Sequence, residues 1–317
     1  MRNILDQIIK LIKKYDRISL FFHSHPDFDT LGSVFSLREY LRKKYPHKNV
    51  LILGLEGIDK KYFDRFIEVK MDKTPSDEWI VKSLGIVCDT ANSARVYEQK
   101  FKLCKKTIRI DHHPHDEKFC FLEWIERDRS SVCEMIGELL FYWDKKYINS
   151  LVASCLYIGI LTDTNRFYYP STTKSTLNLV AKLYKRMNDR MGIQELLCSK
   201  NIEDIKFQQY IYSIANFDIV KHVASLLIPK LIFKKYKVEN NSMIWTMSNI
   251  KDIEIWTSIY YEEEMKKWKG SIRSKKIDIT PVAKKYNGGG HKLASGFVLE
   301  NEKDFSKVIA DLEKLIK

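Results

Sequence analysis

Four short segments hold most of the side chains able to do chemistry: His23-Ser24-His25-Pro26-Asp27-Phe28-Asp29, an isolated Asp89, Asp111-His112-His113, and Asp163 within Thr162-Asp163-Thr164. A lone Asp after a strand is ordinarily a turn former or a helix cap, but that reading does not account for the whole set. If Asp27, Asp29, Asp89, Asp111 and Asp163 met in one crevice, they would repel strongly unless cations neutralised them. Mixed imidazole and carboxylate donors suit manganese and similar first-row ions better than an all-oxygen calcium site or a thiolate zinc site. Two such ions about 3.5 to 4 Å apart form the recurrent clamp for in-line displacement at phosphorus. A fifth segment, Asn287-Gly288-Gly289-Gly290-His291, lets a backbone approach a ligand closely and offers amides to an anion. Arg273 could add a forked donor for a terminal phosphate.

The elements that position these residues follow from the apolar pattern. Ile18 to Phe22, Val50 to Leu53, Leu84 to Val87 and Thr107 to Ile110 are short apolar runs that alternate with helical patterns, the signature of a mostly parallel sheet flanked by helices. Three of the four runs end directly in His23, Asp89 or Asp111-His112-His113, and ligand sites of open parallel sheets lie outside the carboxyl ends of the strands. Leu31, Val34, Phe35, Leu37 and Leu41 recur at helical spacing, with Asp29 or Thr30 as cap. Ser131 to Glu134 has capping-box form. Asp163 follows the apolar helix Leu151 to Leu161.

At 317 residues the chain exceeds what one core tends to hold, and two domains are expected. The pattern breaks between about Arg186 and Asp204, where the helix Leu177 to Tyr184 gives way to a polar stretch. This predicts a catalytic domain over 1–190, a linker region over 191–210 and a smaller α/β domain over 211–317. In that second domain Ile219 to Ile228, Met243 to Ser248 and Gly296 to Leu299 read as strands, and Thr280 to Tyr286 and Phe305 to Ile316 as helices.

The excess of 54 Lys and Arg over 41 Asp and Glu leaves a formal charge of +13, which favours polyanionic partners, although the scattered basic runs read singly as solvated helix faces. With 44% apolar residues the composition excludes a disordered or low-complexity chain. The six cysteines form no C-x-x-C pair, so a reduced cytoplasm is the natural setting. Met1 to Lys14 reads as an amphipathic helix and lacks the apolar segment of a signal peptide. The longest apolar run, Leu151 to Leu161, falls short of the roughly 20 residues that span a bilayer, and no membrane anchor is expected.

In order and spacing, the H-x-x-P-D-x-D of His23 to Asp29, Asp89, Asp111-His112-His113 and Thr162-Asp163-Thr164 resemble the four motifs of the DHH phosphoesterase superfamily. Gly288-Gly289-Gly290-His291, followed by Ala294-Ser295-Gly296, resembles the substrate-binding motif of the DHH-associated C-terminal domain. Within the superfamily, a short two-domain chain ending in a GGGH motif resembles the bifunctional oligoribonuclease and pAp phosphatase (nanoRNase) group. This resemblance implies an active site in the cleft between the domains, hydrolysis of short RNA oligonucleotides to mononucleotides, and hydrolysis of 3'-phosphoadenosine 5'-phosphate (pAp) to AMP. The cofactors it implies are two divalent metal ions, Mn2+ first and Mg2+ second. By position, His23, Asp27 and Asp89 would hold one ion, and Asp29, Asp89, His112 and Asp163 the other, with Asp89 bridging. Asp111 would orient the ligands, His113 would face the scissile phosphate, and Arg273, Gly289, Gly290 and His291 would bind substrate. The likeness leaves room for a homodimer. Asn287 stands where many relatives carry a further glycine, and His25 has no role in the pattern.

Overall fold

Along the first strand Ile18 and Leu20 face one side of a sheet and Phe21 the other, and all three are fully buried. Burial on both faces is what a parallel strand sandwiched between helical layers requires. In the computed structural model, which describes residues 2–58, 72–114, 117–238 and 242–316, the chain divides into two units, Met1–Cys198 and Ser199–Lys317.

The first unit runs α1 (Arg2–Lys14), β1 (Arg17–Phe21), α2 (Phe28–Lys44), β2 (Asn49–Ile52), α3 (Asp77–Ile80), β3 (Leu84–Cys88), β4 (Lys106–Asp111), β5 (Leu122–Ile125), α4 (Val132–Asp144), α5 (Ser150–Asp163), α6 (Lys174–Tyr184) and α7 (Met191–Cys198). Its five strands lie in the order β2-β1-β3-β4-β5, and every neighbouring pair is parallel. One face packs Ile18, Leu20, Leu84, Ile86, Ile108 and Ile110 against the apolar sides of α1, α2, α4 and α5. The other face carries a smaller cluster of Phe21, Val87, Ile80 and Phe101. The helices approach closely. A Cβ on Gly32 would stand 2.3 Å from the Cys155 carbonyl oxygen, and one on Gly159 would stand 2.3 Å from Cys133 Sγ and 3.0 Å from Asp29 Cα.

Two caps differ from the sequence reading. Asp27, not Asp29 or Thr30, caps α2, its side chain accepting from the Thr30 amide, because the chain is already helical at Phe28. Only half the capping box at α4 forms: Ser131 accepts from the Glu134 amide, while Glu134 turns its carboxylate to Ser130 and Thr176. The edge strand β5 was not anticipated. The stretch 191–210, read as a linker, holds α7 and the first part of α8 (Ile202–Ile214).

The second unit continues with β6 (Asn216–Asp218), β7 (Val223–Leu227), α9 (Ile232–Tyr236), β8 (Ile255–Glu262), β9 (Lys267–Ser274), α10 (Thr280–Lys285), β10 (Gly289–His291), β11 (Ala294–Leu299) and α11 (Phe305–Glu313). Its six strands follow the order β10-β11-β9-β8-β7-β6, with β7 and β8 parallel and the other pairs antiparallel. One face packs on α10 and α11 through Ile255, Ile272 and Phe297; the other buries Ala224, Leu226 and Tyr260 beside Phe207 of α8 and Phe233 of α9. Met243 to Ser248, expected as a strand, is mostly a 3-10 helix over Ile244–Met247, entered through Met243 at φ 46°. Among the described residues no helix is long and apolar enough to cross a membrane.

Candidate active site

His23 lies two residues beyond the end of β1, Asp89 directly follows β3 and Asp111 closes β4, so the three clusters emerge from adjacent strand ends on one edge of the sheet. Asp163 is the last residue of α5. The side chains form three overlapping groups whose donor atoms lie within 4.8 Å of one another: His23, Asp27 and Asp89; Asp29, His112 and Asp163; and Asp89, His112 and His113. Asp89 belongs to both sides of the cluster. Its Oδ2 lies 3.4 Å from His23 Nε2, while its Oδ1 lies 3.7 Å from His112 Nε2 and 3.3 Å from His113 Nδ1. That Oδ1 is buried and accepts no hydrogen bond among the described residues, a state that is costly for a carboxylate oxygen unless a cation meets it. The backbone of Asp89 is left-handed, at φ 54°, a conformation that persists at functional sites because its surroundings hold it there.

Backbone carbonyls set the imidazole tautomers. His23 Nδ1 lies 2.7 Å from the Ser24 carbonyl and His112 Nδ1 3.2 Å from that of Arg129. A carbonyl only accepts, so each Nδ1 donates, and each Nε2 is the ring nitrogen turned toward the carboxylates. This is the arrangement metal-ligating histidines use. Asp29 is anchored by the start of α4, its two oxygens accepting from the Val132 amide at 2.7 Å and the Cys133 amide at 2.8 Å.

The chain has relatives over nearly its whole length. Residues 17–160 match the model of the DHH family, N-terminal domain, and residues 230–317 match that of the DHHA1 domain. A bifunctional oligoribonuclease and PAP phosphatase NrnA of Bacillus subtilis is 33% identical over 98% of each chain. The chain belongs to the DHH family. An uncharacterised Mycoplasma genitalium protein, MG371, is 39% identical over 97% of this chain and 94% of its own; the NrnA of the same organism is 30% identical over 98% of both. A solved exopolyphosphatase-related protein from Bacteroides fragilis shares the fold, with a TM-score of 0.83 at 21% identity over 100% of this chain and 98% of its own.

Within this DHH site the charges are out of balance. Burial and the charges of Asp89 and Asp163 push Asp29 well above the usual carboxylate range. Burial, with Asp89 and Asp27 nearby, lifts Asp163 to about 6 against the pull of His112. Burial opposes charge on His112, but Asp29, Asp89 and Asp163 raise it to about 9. His23 is raised as well: burial opposes charge there, and the hydrogen bond and charge of Asp89 outweigh it. Asp89 would be raised by burial, but the three histidines bring it down to about 2. So many carboxylates and imidazoles competing for too few protons are the electrostatic counterpart of a cation-binding site. The donor chemistry and the orphaned Asp89 Oδ1 both fit divalent ions.

Asp111 differs from the other four carboxylates. Arg109, itself fully buried, forks onto its Oδ2 from Nη2 at 2.5 Å and Nε at 3.2 Å, and also donates to the Ala91 and Glu117 carbonyls. Burial alone would raise Asp111, but the hydrogen bonds from His113 and Arg109 hold it below the usual range. Its Oδ1 accepts from the His113 amide at 3.1 Å and from His113 Nδ1 at 2.9 Å, which leaves Nε2 as the free ring nitrogen. Arg109 was missed from sequence, where it reads as one polar residue of a strand. A charge in a strand buried on both faces needs a partner, and Asp111 two residues on was the available signal. His25, at φ 58°, joins none of the three groups.

In the second unit Arg273 pairs with Ala294, and Ala294 with His291, so Arg273 and His291 share one rung of the sheet, with Trp256 as the next residue on it. The two flanking strands of that rung stand about 10 Å apart. Gly289, Gly290 and His291 are exposed. Asn287 sits at φ 55°, a left-handed position that Asn tolerates better than most residues. A Cβ on Gly288 would meet the Gly296 carbonyl at 2.0 Å, and Gly290 is at φ 139°, so the fold itself demands both; a Cβ on Gly289 would meet nothing within 4 Å.

Proposed function

We propose that this chain is a two-metal phosphoesterase that hydrolyses short oligoribonucleotides to mononucleotides and pAp to AMP and phosphate. Residues 1–190 carry the metal centre, and residues 211–317 clasp the nucleotide. His23, Asp27 and Asp89 hold one ion; Asp29, Asp89, His112 and Asp163 hold the other. The ions are manganese, with magnesium as the alternative, and the protein works in the cytoplasm, where its cysteines, all free, stay reduced. The observation that carries this reading is Asp89, whose two oxygens face separate ligand groups. The names of the relatives support the choice of substrate.

Divalent ions so held would neutralise charge on the phosphoryl oxygens and lower the pKa of attacking water. The protein's own groups do the rest. The Ser24 and Arg129 carbonyls keep the two ligating imidazoles turned inward. Asp111, kept ionised by Arg109, holds the His113 ring through Nδ1–H, so that Nε2, when it also carries a proton, would pass that proton to the leaving oxygen and then stand as a lone pair. Arg273 supplies a fork for a terminal phosphate, and Gly289 leaves room for substrate to lie against the backbone. Such a clasp reads one end of a ligand, so short substrates are preferred.

The test compares initial rates with manganese on pAp, a diribonucleotide, a long RNA and pyrophosphate, then kcat/KM across RNAs of two to about twenty-four nucleotides, beyond the reach of a single-strand binding groove. Rates should fall as length grows. A rate constant that climbs with length would instead indicate binding by the basic surface, which strengthens with each phosphate neutralised.

A further inference from the structure

The Thr30 side chain is fully buried in the first turn of α2, and its hydroxyl lies against three of the proposed ligand atoms at once. Oγ1 is 2.6 Å from His23 Nε2, 3.0 Å from Asp27 Oδ1 and 2.5 Å from Asp89 Oδ2. A hydroxyl has one hydrogen. Two of the neighbours are carboxylate oxygens that compete for it, and the third is the imidazole nitrogen turned to the same point by the contact of Nδ1 with the Ser24 carbonyl. One proton cannot serve both carboxylates, whereas one cation can meet all of these donors. The separations are also those of neighbouring donors around one small ion: with bonds near 2.1 Å, adjacent ligands of an octahedral cation stand about 3 Å apart.

We propose that the Thr30 hydroxyl is a fourth protein donor to the ion held by His23, Asp27 and Asp89. The proposal rests on the two-metal reading above. Backbone and packing keep the hydroxyl in place: the Thr30 amide donates to Asp27 Oδ1 at 2.9 Å, which fixes the helix turn relative to a ligand. Among the described residues Oγ1 has no other hydrogen-bond partner, so a hydroxyl expelled by an arriving ion would be left buried and unpaired. A neutral, hard oxygen added to two carboxylates and one imidazole shifts the donor set toward the ions that favour oxygen, magnesium and manganese, and away from those that favour sulfur and nitrogen. Hydroxyl ligation of this kind is what Ser or Thr provides to magnesium in phosphate-binding loops.

The experiment titrates metal-free wild type, Thr30→Ser and Thr30→Val with Mn2+, following free Mn2+ by electron paramagnetic resonance, with thermal melting of each metal-free variant alongside. Wild type and Thr30→Ser should bind two ions. Thr30→Val, which keeps the shape but not the oxygen, should weaken one of them about 10- to 100-fold, the cost typical of disturbing the shell around a metal site, and leave the second unchanged. Thr30→Val binding both ions with wild-type affinity or tighter would overturn the proposal, as would Thr30→Ser losing as much as Thr30→Val. Wild type that binds fewer than two ions would instead defeat the two-metal reading itself. If Thr30→Val melts too low to titrate, Thr30→Ser against Thr30→Ala gives the same comparison.

Discussion

Removing Arg109 should cost the first unit far more stability than its place in a strand suggests. Its side chain is 0% exposed, and its guanidinium is the partner of Asp111, also 0% exposed, and the donor to two backbone carbonyls. Replacing it with Met would leave a buried carboxylate facing only His113, and the Ala91 and Glu117 carbonyls without that donor. Breaking a buried pair by removing one member costs about 3–5 kcal/mol, and for a unit of this size each kcal/mol lowers the melting temperature by about 2–4 °C. Arg109→Met should therefore melt about 6–20 °C below wild type in metal-free buffer. Arg109→Lys should fall between the two, since lysine keeps the charge but not the fork. The decisive comparison is the double variant Arg109→Met/Asp111→Asn, which removes the orphaned charge and should be clearly more stable than the sum of the single losses. A single-variant loss under about 1 kcal/mol, or strict additivity in the double, would refute the assignment of Arg109 as the counter-charge of Asp111.

Asp89→Asn should abolish hydrolysis and reduce bound manganese, because an amide cannot bridge as a carboxylate does; full turnover in that variant, or wild-type turnover undiminished by EDTA, would contradict the two-metal reading. Gly289→Ala should leave the melting temperature unchanged and weaken nucleotide binding, whereas Gly288→Ala should destabilise the second unit, since only the latter Cβ meets backbone; equal melting temperatures for the two would argue against this division. Asp72 accepts from Arg38 at 2.7 Å and Arg42 at 2.8 Å; burial works to raise it, but these partners and the Ile52 amide hold it below its usual range. Its contribution is therefore fully present above the unfolded value of about 3.9 and lost as pH falls through the lower folded value, so Asp72→Asn should flatten the acid limb of a stability–pH curve measured by urea unfolding.

The first unit was legible where its strands are continuous apolar runs that stop at a polar cluster. β1 and β3 come nearest that form, β4 keeps Ile108 and Ile110 around Arg109 before the polar cluster, and parallel order then carries His23, Asp89 and Asp111 to one edge. β5 was not legible because Leu-Glu-Trp-Ile is four residues long and mixes a charge with apolar groups. In the second unit β8 and β9, the two longest strands, were passed over: β9 alternates Trp268 and Ile272 inward with polar residues outward, but Gly270 and three basic residues weaken the apolar signal. Met243 to Ser248 was misread because Met, Ile, Trp and Thr all suit strands, and nothing local announces the left-handed turn at Met243. Asp89 and Asp163 had meaning only through their places in the order of motifs. Thr30 became visible as a site residue only once distances were known.

The clustered side chains come from four stretches of chain, with His23 and Asp163 at the extremes and three strand-to-strand connections between β1 and β4. No pair of them separated by a single loop makes up a complete group of donors. Ions bound there would therefore meet a finished pocket only after the strand order is set, late on the folding route. Added manganese should leave the refolding rate nearly unchanged and slow unfolding instead, the behaviour of contacts absent from the transition state, so the metal would act as a lock on the folded chain and not as a template for making it.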